Sequence, residues 1–283
     1  MYHKYITLIR PHHWVKNLLI FFPILLSPYE LASISIINSI YMFICFCLVA
    51  SGVYIFNDIK DVNKDMLNTR TKNRPFAQGK IKKLTGYILS LFLITLSIVV
   101  ASIFIPNAVF LLLLYVLINF LYTLYLKYIV ILDIISVASG FLIRIIAGGI
   151  VSQINQSLWT LLIISFASLG LAAGKRLGQY VENPDYLSAK WNNILLKSVL
   201  ITCIVFTIIF YSLFSFDADV ISRHGSDKIW LSLPIIILIF VRYLYIAWHG
   251  KYLGDPTDAA LKDRYLQIMS LSWLVLIFYI FII

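Results

Sequence analysis

The feature that most constrains this chain is a succession of about nine apolar stretches, each near the roughly 17 to 25 residues that cross a hydrocarbon core as a helix. They fall at 17–37, 38–57, 84–105, 107–126, 129–151, 157–174, 194–214, 230–248 and 265–283. Pro23 interrupts the first, and the sixth is short. No water satisfies backbone N–H and C=O groups inside a bilayer, so stretches of this kind fold as helices. Of the 283 residues, 61% are hydrophobic and 13% charged, more apolar surface than a domain in water can hide. The expected fold is therefore all-α and integral to the membrane. It forms a single domain over residues 1–283, with no linker, low-complexity tract or soluble module.

Orientation follows from the basic residues, which short loops retain on the cytoplasmic side. All of the 23 Lys and Arg except Arg144, Arg223, Lys228 and Arg242 fall at the N-terminus or in alternate loops. This places the N-terminus inside, the C-terminus outside, and the longer polar loops at 58–83, 175–193 and 249–264 on the cytoplasmic face. The net charge of +10 is accounted for by topology and attraction to anionic head groups, with phosphate-bearing substrates as the sharper alternative. Basic residues spread over membrane-fixed loops, with no nucleic-acid-binding module, argue against nucleic acid. Cys45, Cys47 and Cys203 lie in apolar spans and read as packing residues, since no metal or disulfide spacing appears. No small-residue cleavage site follows the first apolar run, so it is expected to remain as a helix.

The clearest constellation is Asn57-Asp58-Ile59-Lys60-Asp61-Val62-Asn63-Lys64-Asp65, at the end of the second stretch. If the helix continues two more turns, Asp58, Asp61 and Asp65 lie within roughly 60° of one face. Carboxylates crowded in this way repel one another unless a cation intervenes, and hard oxygen ligands on a short arc suit Mg²⁺ shared with substrate phosphates. The competing reading is a solvated helix end balanced by Lys60 and Lys64. Arg70, Lys72, Arg74, Lys80, Lys82 and Lys83 flank or belong to the next loop, around Arg74-Pro75-Phe76-Ala77-Gln78-Gly79. Arginine presents a planar fork to phosphate oxygens. Carboxylates for a metal beside cations for phosphate are what a diphosphate substrate needs, although Lys82 and Lys83 read as topology signals.

Further candidates lie elsewhere. Arg144 stands about 11 residues into its helix from Asp133, or roughly 16 Å. A charge at that depth is costly unless it faces a polar cavity or a carboxylate. Lys175 and Arg176 are expected to end the sixth span in Ala172-Ala173-Gly174-Lys175-Arg176, where cations also complement the helix dipole. Lys16 and Asn17 open the first stretch, with an interfacial anchor as the alternative for Lys16. Tyr122, near a cytoplasmic helix end, is a candidate border of the site, whereas His12, His13, His224 and His249 form no metal-ligand pattern.

At these residues the chain resembles the UbiA superfamily of intramembrane prenyltransferases. The resemblance rests on helix count, topology and the motif Asn57-Asp58-x-x-Asp61-x-x-x-Asp65. It implies nine transmembrane helices around a cytoplasm-facing polar cavity, in a cell inner (plasma) membrane. The second aspartate-rich motif usual in that superfamily is not present in its usual form. The position reads Gly174-Lys175-Arg176-Leu177-Gly178-Gln179, with Glu182 and Asp185 following. The chain looks more like the phosphoribosyl-transferring branch, through Arg10 to Asn17, Asn57 to Gly79, Lys127 with Asp133, Ser139 to Gly149, Gly174 to Arg176 and Gly254 to Gln267. That likeness implies transfer of phosphoribose from phosphoribosyl diphosphate to a polyprenyl phosphate. Asp58 and Asp61 would hold Mg²⁺, supported by Asn57 and Asp65; Lys16, Arg74, Lys175 and Arg176 would contact phosphates; Lys127 and Arg144 would line the cavity. A homo-oligomer is compatible with this reading. The rivals are prenyl transfer to an aromatic or quinone precursor and, in another class, transport of an anionic metabolite.

Overall fold

A computed structural model describes residues 3–26, 33–67, 71–182 and 191–282, and the expectations attached to Arg70, Asp185 and Lys190 lie outside the described residues. The chain is helical throughout its described elements. Eight helices among the described residues are long and apolar enough to cross a membrane. In order, the helices are α1 (His3–Ile9), α2 (Phe22–Leu25), α3 (Ser33–Lys60), α4 (Val62–Leu67), α5 (Lys83–Phe104), α6 (Val109–Leu124) and α7 (Val130–Ser152). They continue as α8 (Leu158–Glu182), α9 (Asn193–Phe216), α10 (Ala218–His224), α11 (Leu233–Trp248), α12 (Pro256–Lys262) and α13 (Arg264–Ile282).

Two expectations at the N-terminal end are corrected. The runs at 17–37 and 38–57 do not divide at that point, because no Gly, Pro or charge interrupts the chain there and α3 runs as one helix of 28 residues. Ahead of it, Pro11–Phe21 winds as a 3-10 helix and passes into α2. Pro11 sits in its first turn, where a missing N–H costs no hydrogen bond. Eleven residues is long for a 3-10 helix, a form that marks strain or function when extended. The third correction concerns α8, expected to stop near 174, which continues to Glu182. Ala173 and Leu177, four residues apart and fully buried, carry its apolar face onward, and no proline intervenes before Pro184.

The chain divides into two compact units: Met1–Ile24, Leu31–Lys127 and Ile143–Ile154 in the first, and Leu25–Glu30, Tyr128–Leu142 and Asn155–Ile283 in the second. In unit 1, α3 packs most extensively on α5. Lipid gives no hydrophobic drive to pair helices, so small residues and hydroxyls do the joining. Ser90 Oγ donates to the Gly52 carbonyl at 2.7 Å and Ser97 Oγ to the Cys45 carbonyl at 2.8 Å. Met42, Phe46, Leu112 and Tyr115 fill the core beside them. In unit 2, α8 packs chiefly on α9 around Ala173, Leu177, Leu196, Leu200 and Tyr243. Leu91, Ile103, Leu271 and Val275 are exposed on their spans, a surface that suits lipid rather than water.

Candidate active site

The carboxylates of unit 1 are placed by a helix that survives a local turn. Asp61 separates α3 from α4, yet its N–H donates to the Asn57 carbonyl at 2.9 Å, and Asp65 N–H donates to the Asp61 carbonyl at 2.8 Å. The i to i−4 ladder therefore carries on, and the spacing of Asp58, Asp61 and Asp65 retains its geometric meaning. Asp58 is 2% exposed and Asp65 6%. Charges buried to this extent need partners, and each carboxylate has one. Arg10 Nη2 donates to Asp58 Oδ1 at 2.5 Å. Arg74 Nη1 reaches the same oxygen at 3.0 Å and both Asp65 oxygens at 3.0 and 2.9 Å. Lys127 Nζ donates to Asp61 Oδ1 at 2.6 Å. Burial pushes the Asp65 carboxyl above its ordinary value against the pull of Arg74.

The loop that delivers Arg74 is built for the purpose. Phe76, 5% exposed, packs in a cluster with Ile59, Val62 and Ile81 and pins the loop to the end of α3. Gly79 takes φ +65°, which glycine adopts without a Cβ clash, and the Lys80 N–H closes the turn on the Pro75 carbonyl. Thr71 Oγ1 ties the loop back to the Asp65 carbonyl at 3.2 Å. Arg10 arrives differently. It stops α1 in the left-handed region at φ 53° and ψ 60°, a conformation costing a non-glycine residue about 1–2 kcal/mol. Its guanidinium also lies 5.4 Å from the Tyr54 ring centroid, one helical turn before Asp58.

The donor set fits a hard divalent cation, on chemistry and on one orphaned atom. Asn57 Oδ1 is buried without a hydrogen-bond partner, an acceptor on the residue that precedes Asp58 in the chain. Among the described residues, no three His, Cys, Asp or Glu side chains converge as a ready-made cage. Mg²⁺ does not require one, since it commonly takes one or two carboxylates and completes its shell with water and phosphate oxygens.

Arg144, deeper in unit 1, is 4% exposed. Its Nε donates to Asn17 Oδ1 at 2.7 Å and its Nη2 to the Tyr115 hydroxyl at 3.3 Å, with the Phe46 and Tyr115 rings 5.2 and 4.9 Å away. Asn17 belongs to the 3-10 helix, so Arg144 ties that segment to α7. Gly148, one turn further on, lets the segment approach: a Cβ there would lie 2.2 Å from the Ile20 carbonyl oxygen. Lys16, in the same segment, and Tyr122 on α6 are half-buried.

In unit 2 the extension of α8 puts Lys175 and Arg176 inside the helix rather than at its end, which removes the dipole explanation for the pair. Arg176 Nη2 donates to Asp133 Oδ1 at 2.6 Å and Nη1 to Gln179 Oε1 at 2.7 Å. Lys175 pairs with Asp255 at 2.8 Å, and Asp255 also caps α12 by accepting from Thr257 N–H at 2.9 Å. Gly174 leaves room for the Tyr243 side chain, whose hydroxyl oxygen would lie 2.6 Å from a Cβ there and which donates to the Leu171 carbonyl. Sequence reasoning did not pick out Arg10, Asp133 or Asp255 as site residues. A spacing pattern could not reveal them, because Arg10 is 48 residues from Asp58 and Asp133 is 43 from Arg176.

The sequence model of the UbiA prenyltransferase family matches residues 20–262. The chain belongs to this family. It is 32% identical to a decaprenyl-phosphate phosphoribosyltransferase of Mycolicibacterium smegmatis, over 95% of this chain and 89% of that protein. It is 29% identical to a protein of the same name from Corynebacterium glutamicum, over 95% of this chain and 83% of that protein. A UbiA homolog from Archaeoglobus fulgidus, solved bound to DMAPP and Mg²⁺, has the same fold, with a TM-score of 0.74 at 17% identity and 99% of both chains covered. This UbiA family member is accordingly a multi-pass membrane protein and a transferase. In it, the first aspartate motif is intact from Asn57 to Asp65, while the helix carrying Lys175 and Arg176 presents cations whose carboxylate partners come from other elements.

Proposed function

We propose that the protein transfers phosphoribose from phosphoribosyl diphosphate to a polyprenyl phosphate lipid, with release of diphosphate, in a cell inner membrane with its N-terminus cytoplasmic. The observation that carries the reading is the meeting of Asp58, Asp61 and Asp65 with Arg10, Arg74 and Lys127 at 2.5–3.0 Å. Carboxylates for a divalent cation and cations for phosphate stand in one cluster, which is the equipment for binding a diphosphate and letting it depart. Relatives of the same name at 29–32% identity over nearly the whole chain support the choice of donor and acceptor. The family match runs through both units, which supports treating residues 1–283 as one catalytic domain.

In the reaction, the bond from the ribosyl anomeric carbon to the diphosphate oxygen breaks, and the electron pair leaves with diphosphate. A bond forms from that carbon to an oxygen of the lipid phosphate. Asp58 and Asp61 would hold Mg²⁺, with Asn57 and Asp65 supporting them, and the ion when bound would supply Lewis-acid neutralisation of the departing charge. Arg74, Lys16, Lys175 and Arg176 bind phosphates, and Lys127, Arg144 and Tyr122 shape the polar lining. The acceptor phosphate is ionised at neutral pH, so no general base is needed. Positioning and preorganised charge supply most of the acceleration.

The test is incubation of the purified protein with radiolabelled phosphoribosyl diphosphate, polyprenyl phosphate and Mg²⁺, followed by thin-layer separation of lipids. A labelled lipid is the expected result. Product formed instead from a prenyl diphosphate and an aromatic acceptor would replace this reading with aromatic prenyl transfer. Uptake of label into vesicles without a covalent product would make the protein a transporter.

A further inference from the structure

We infer that Arg10 has two alternative partners, the Asp58 carboxylate and the diphosphate of the donor, and exchanges one for the other as metal and donor bind. The inference rests on the metal-and-diphosphate reading of the cluster. Asp58 Oδ1 accepts from two guanidinium groups, Arg10 at 2.5 Å and Arg74 at 3.0 Å. A divalent cation that takes this carboxylate must approach an oxygen already surrounded by positive charge, so metal and arginine compete for it. Arg74 cannot withdraw without also abandoning Asp65, to which the same nitrogen donates twice. Arg10 has no second carboxylate in the cluster.

The backbone assigns the mobile role to the same residue. Asp58 lies in the last turn of α3, with the Asp61 N–H bonded to Asn57 just beyond it, whereas Arg10 stands at the junction between α1 and the 3-10 helix in a left-handed conformation. Strain held at such a junction is characteristic of switch and ligand-clamp positions. A released guanidinium has a ready surface in the Tyr54 ring, already 5.4 Å from its carbon. Its side chain is 14% exposed, against 2% for Asp58, so the arginine is the partner that incoming phosphate can reach.

Charge balance gives the direction of the exchange. Three carboxylates meet three cations, and a divalent ion added alone leaves the cluster positive. Diphosphate added with the ion restores balance and offers the displaced guanidinium oxygens of better geometry, since arginine binds phosphate through two parallel donors. Metal alone should therefore be weakened by Arg10, and metal with diphosphate strengthened by it.

The experiment titrates the full-length protein with Mn²⁺, followed by the electron paramagnetic resonance of free ion, and then with inorganic diphosphate at saturating Mn²⁺. Glycine adopts the backbone angles of Arg10 freely, so Arg10→Gly removes the guanidinium while keeping the junction. Its Mn²⁺ Kd should fall roughly tenfold and its diphosphate Kd rise roughly tenfold, the equivalent of one charge-assisted bond of about 1.4 kcal/mol in each direction. Arg10→Lys should move both constants in the same senses by less. Both affinities falling together would make Arg10 a structural support, and an unchanged Mn²⁺ Kd would show that it does not compete; either overturns the exchange. Asp58→Asn separates the two levels of the argument. Loss of Mn²⁺ binding in that variant, with Arg10→Gly unchanged, defeats the exchange alone, whereas unaltered Mn²⁺ binding in Asp58→Asn defeats the metal reading on which it rests.

Discussion

Units 1 and 2 each gather carboxylates and cations around a long helix, and they do so by opposite routes. In unit 1 the α3–α4 helix carries the three carboxylates; Arg10 comes to it from the head of the Pro11–Phe21 3-10 helix, Arg74 from a loop and Lys127 from the 3-10 turn Leu126–Tyr128. In unit 2, α8 carries the adjacent cations Lys175 and Arg176, and the carboxylates Asp255 and Asp133 come to it from elsewhere. The bond lengths are alike, so geometry does not distinguish the clusters. What differs is which charge the local sequence fixes and which is recruited. The fixed charge sits on a rigid helix and defines what a ligand meets, while the recruited counter-ion holds it in place until a stronger partner arrives. On this view unit 1 presents carboxylates to a cation and unit 2 presents cations to an anion.

The most severe test of that asymmetry is to remove a fixed carboxylate. Asp58→Asn or Asp61→Asn should cut turnover by at least roughly a hundredfold, the scale on which metal sites lose activity when their charge is altered, while the protein still inserts and purifies normally. Initial rates at saturating Mg²⁺ check it, and near wild-type rates would dissolve the distinction between the clusters. Chelation should have a matching effect on the wild type: activity vanishes with EDTA and returns with Mg²⁺ or Mn²⁺, and persistence in chelator would leave unit 1 without a metal.

In unit 2 the larger loss should come from the cation. Arg176→Ala should leave a phosphate uncompensated at about 2 to 5 kcal/mol, at least about a thirtyfold fall in catalytic efficiency. Lysine at 176 should rescue it only partly, for want of the planar fork. Asp133→Asn should cost less than Arg176→Ala, because it removes the counter-ion and leaves the cation that meets the ligand. Steady-state kinetics against donor and acceptor concentration give the order, and a greater loss in Asp133→Asn would make unit 2 a second carboxylate site of the kind aromatic prenyl transfer uses.

The smallest effect is expected at a pair outside both clusters. Arg242 grips Asp263 in two parallel bonds at 3.1 and 2.8 Å, and Asp263 caps α13 through Leu266 N–H. The Arg242 bonds hold the Asp263 carboxyl below its ordinary value near 3.8. A carboxyl with a lowered folded pKa contributes stability above its unfolded pKa and loses it as pH falls through the folded one. Asp263→Asn should therefore lower the melting temperature at pH 7 by the equivalent of about 1 kcal/mol, leave activity per folded molecule unchanged, and converge on the wild type only once pH has fallen through the lowered folded pKa, below 3.8. A loss of activity at constant stability would add this pair to the functional set.

Most of the membrane architecture was legible in the sequence, because an apolar run long enough to cross lipid has few other ways to satisfy its backbone. The expected spans at 84–105, 129–151, 194–214 and 230–248 match α5, α7, α9 and the Ile229–Trp248 span within two residues at each end. The errors fell where hydrophobicity carries no information about helix type or end. The stretch from Pro11 to Phe21, with two His, a Lys and an Asn among its apolar residues, winds as a 3-10 helix, held by the Arg144 bond to Asn17 and the Gly148 approach to Ile20. Polar residues at 175 and 176 suggested an end to α8, but Leu177 and the buried face it shares with Ala173 carried the helix on.

The sequence by itself determined the helical membrane fold, the spacing of Asp58, Asp61 and Asp65, and the juxtaposition of Lys175 with Arg176, since all of these depend on backbone satisfaction in lipid or on residues within two helical turns. The tertiary structure alone decided what each charge meets: Arg10 on Asp58, Lys127 on Asp61, Asp133 on Arg176 and Asp255 on Lys175. Those pairings join residues far apart in the chain, and no local periodicity encodes them. Burial makes an unpaired charge costly and so enforces pairing, but which distant residue supplies the partner is settled by how the helices pack.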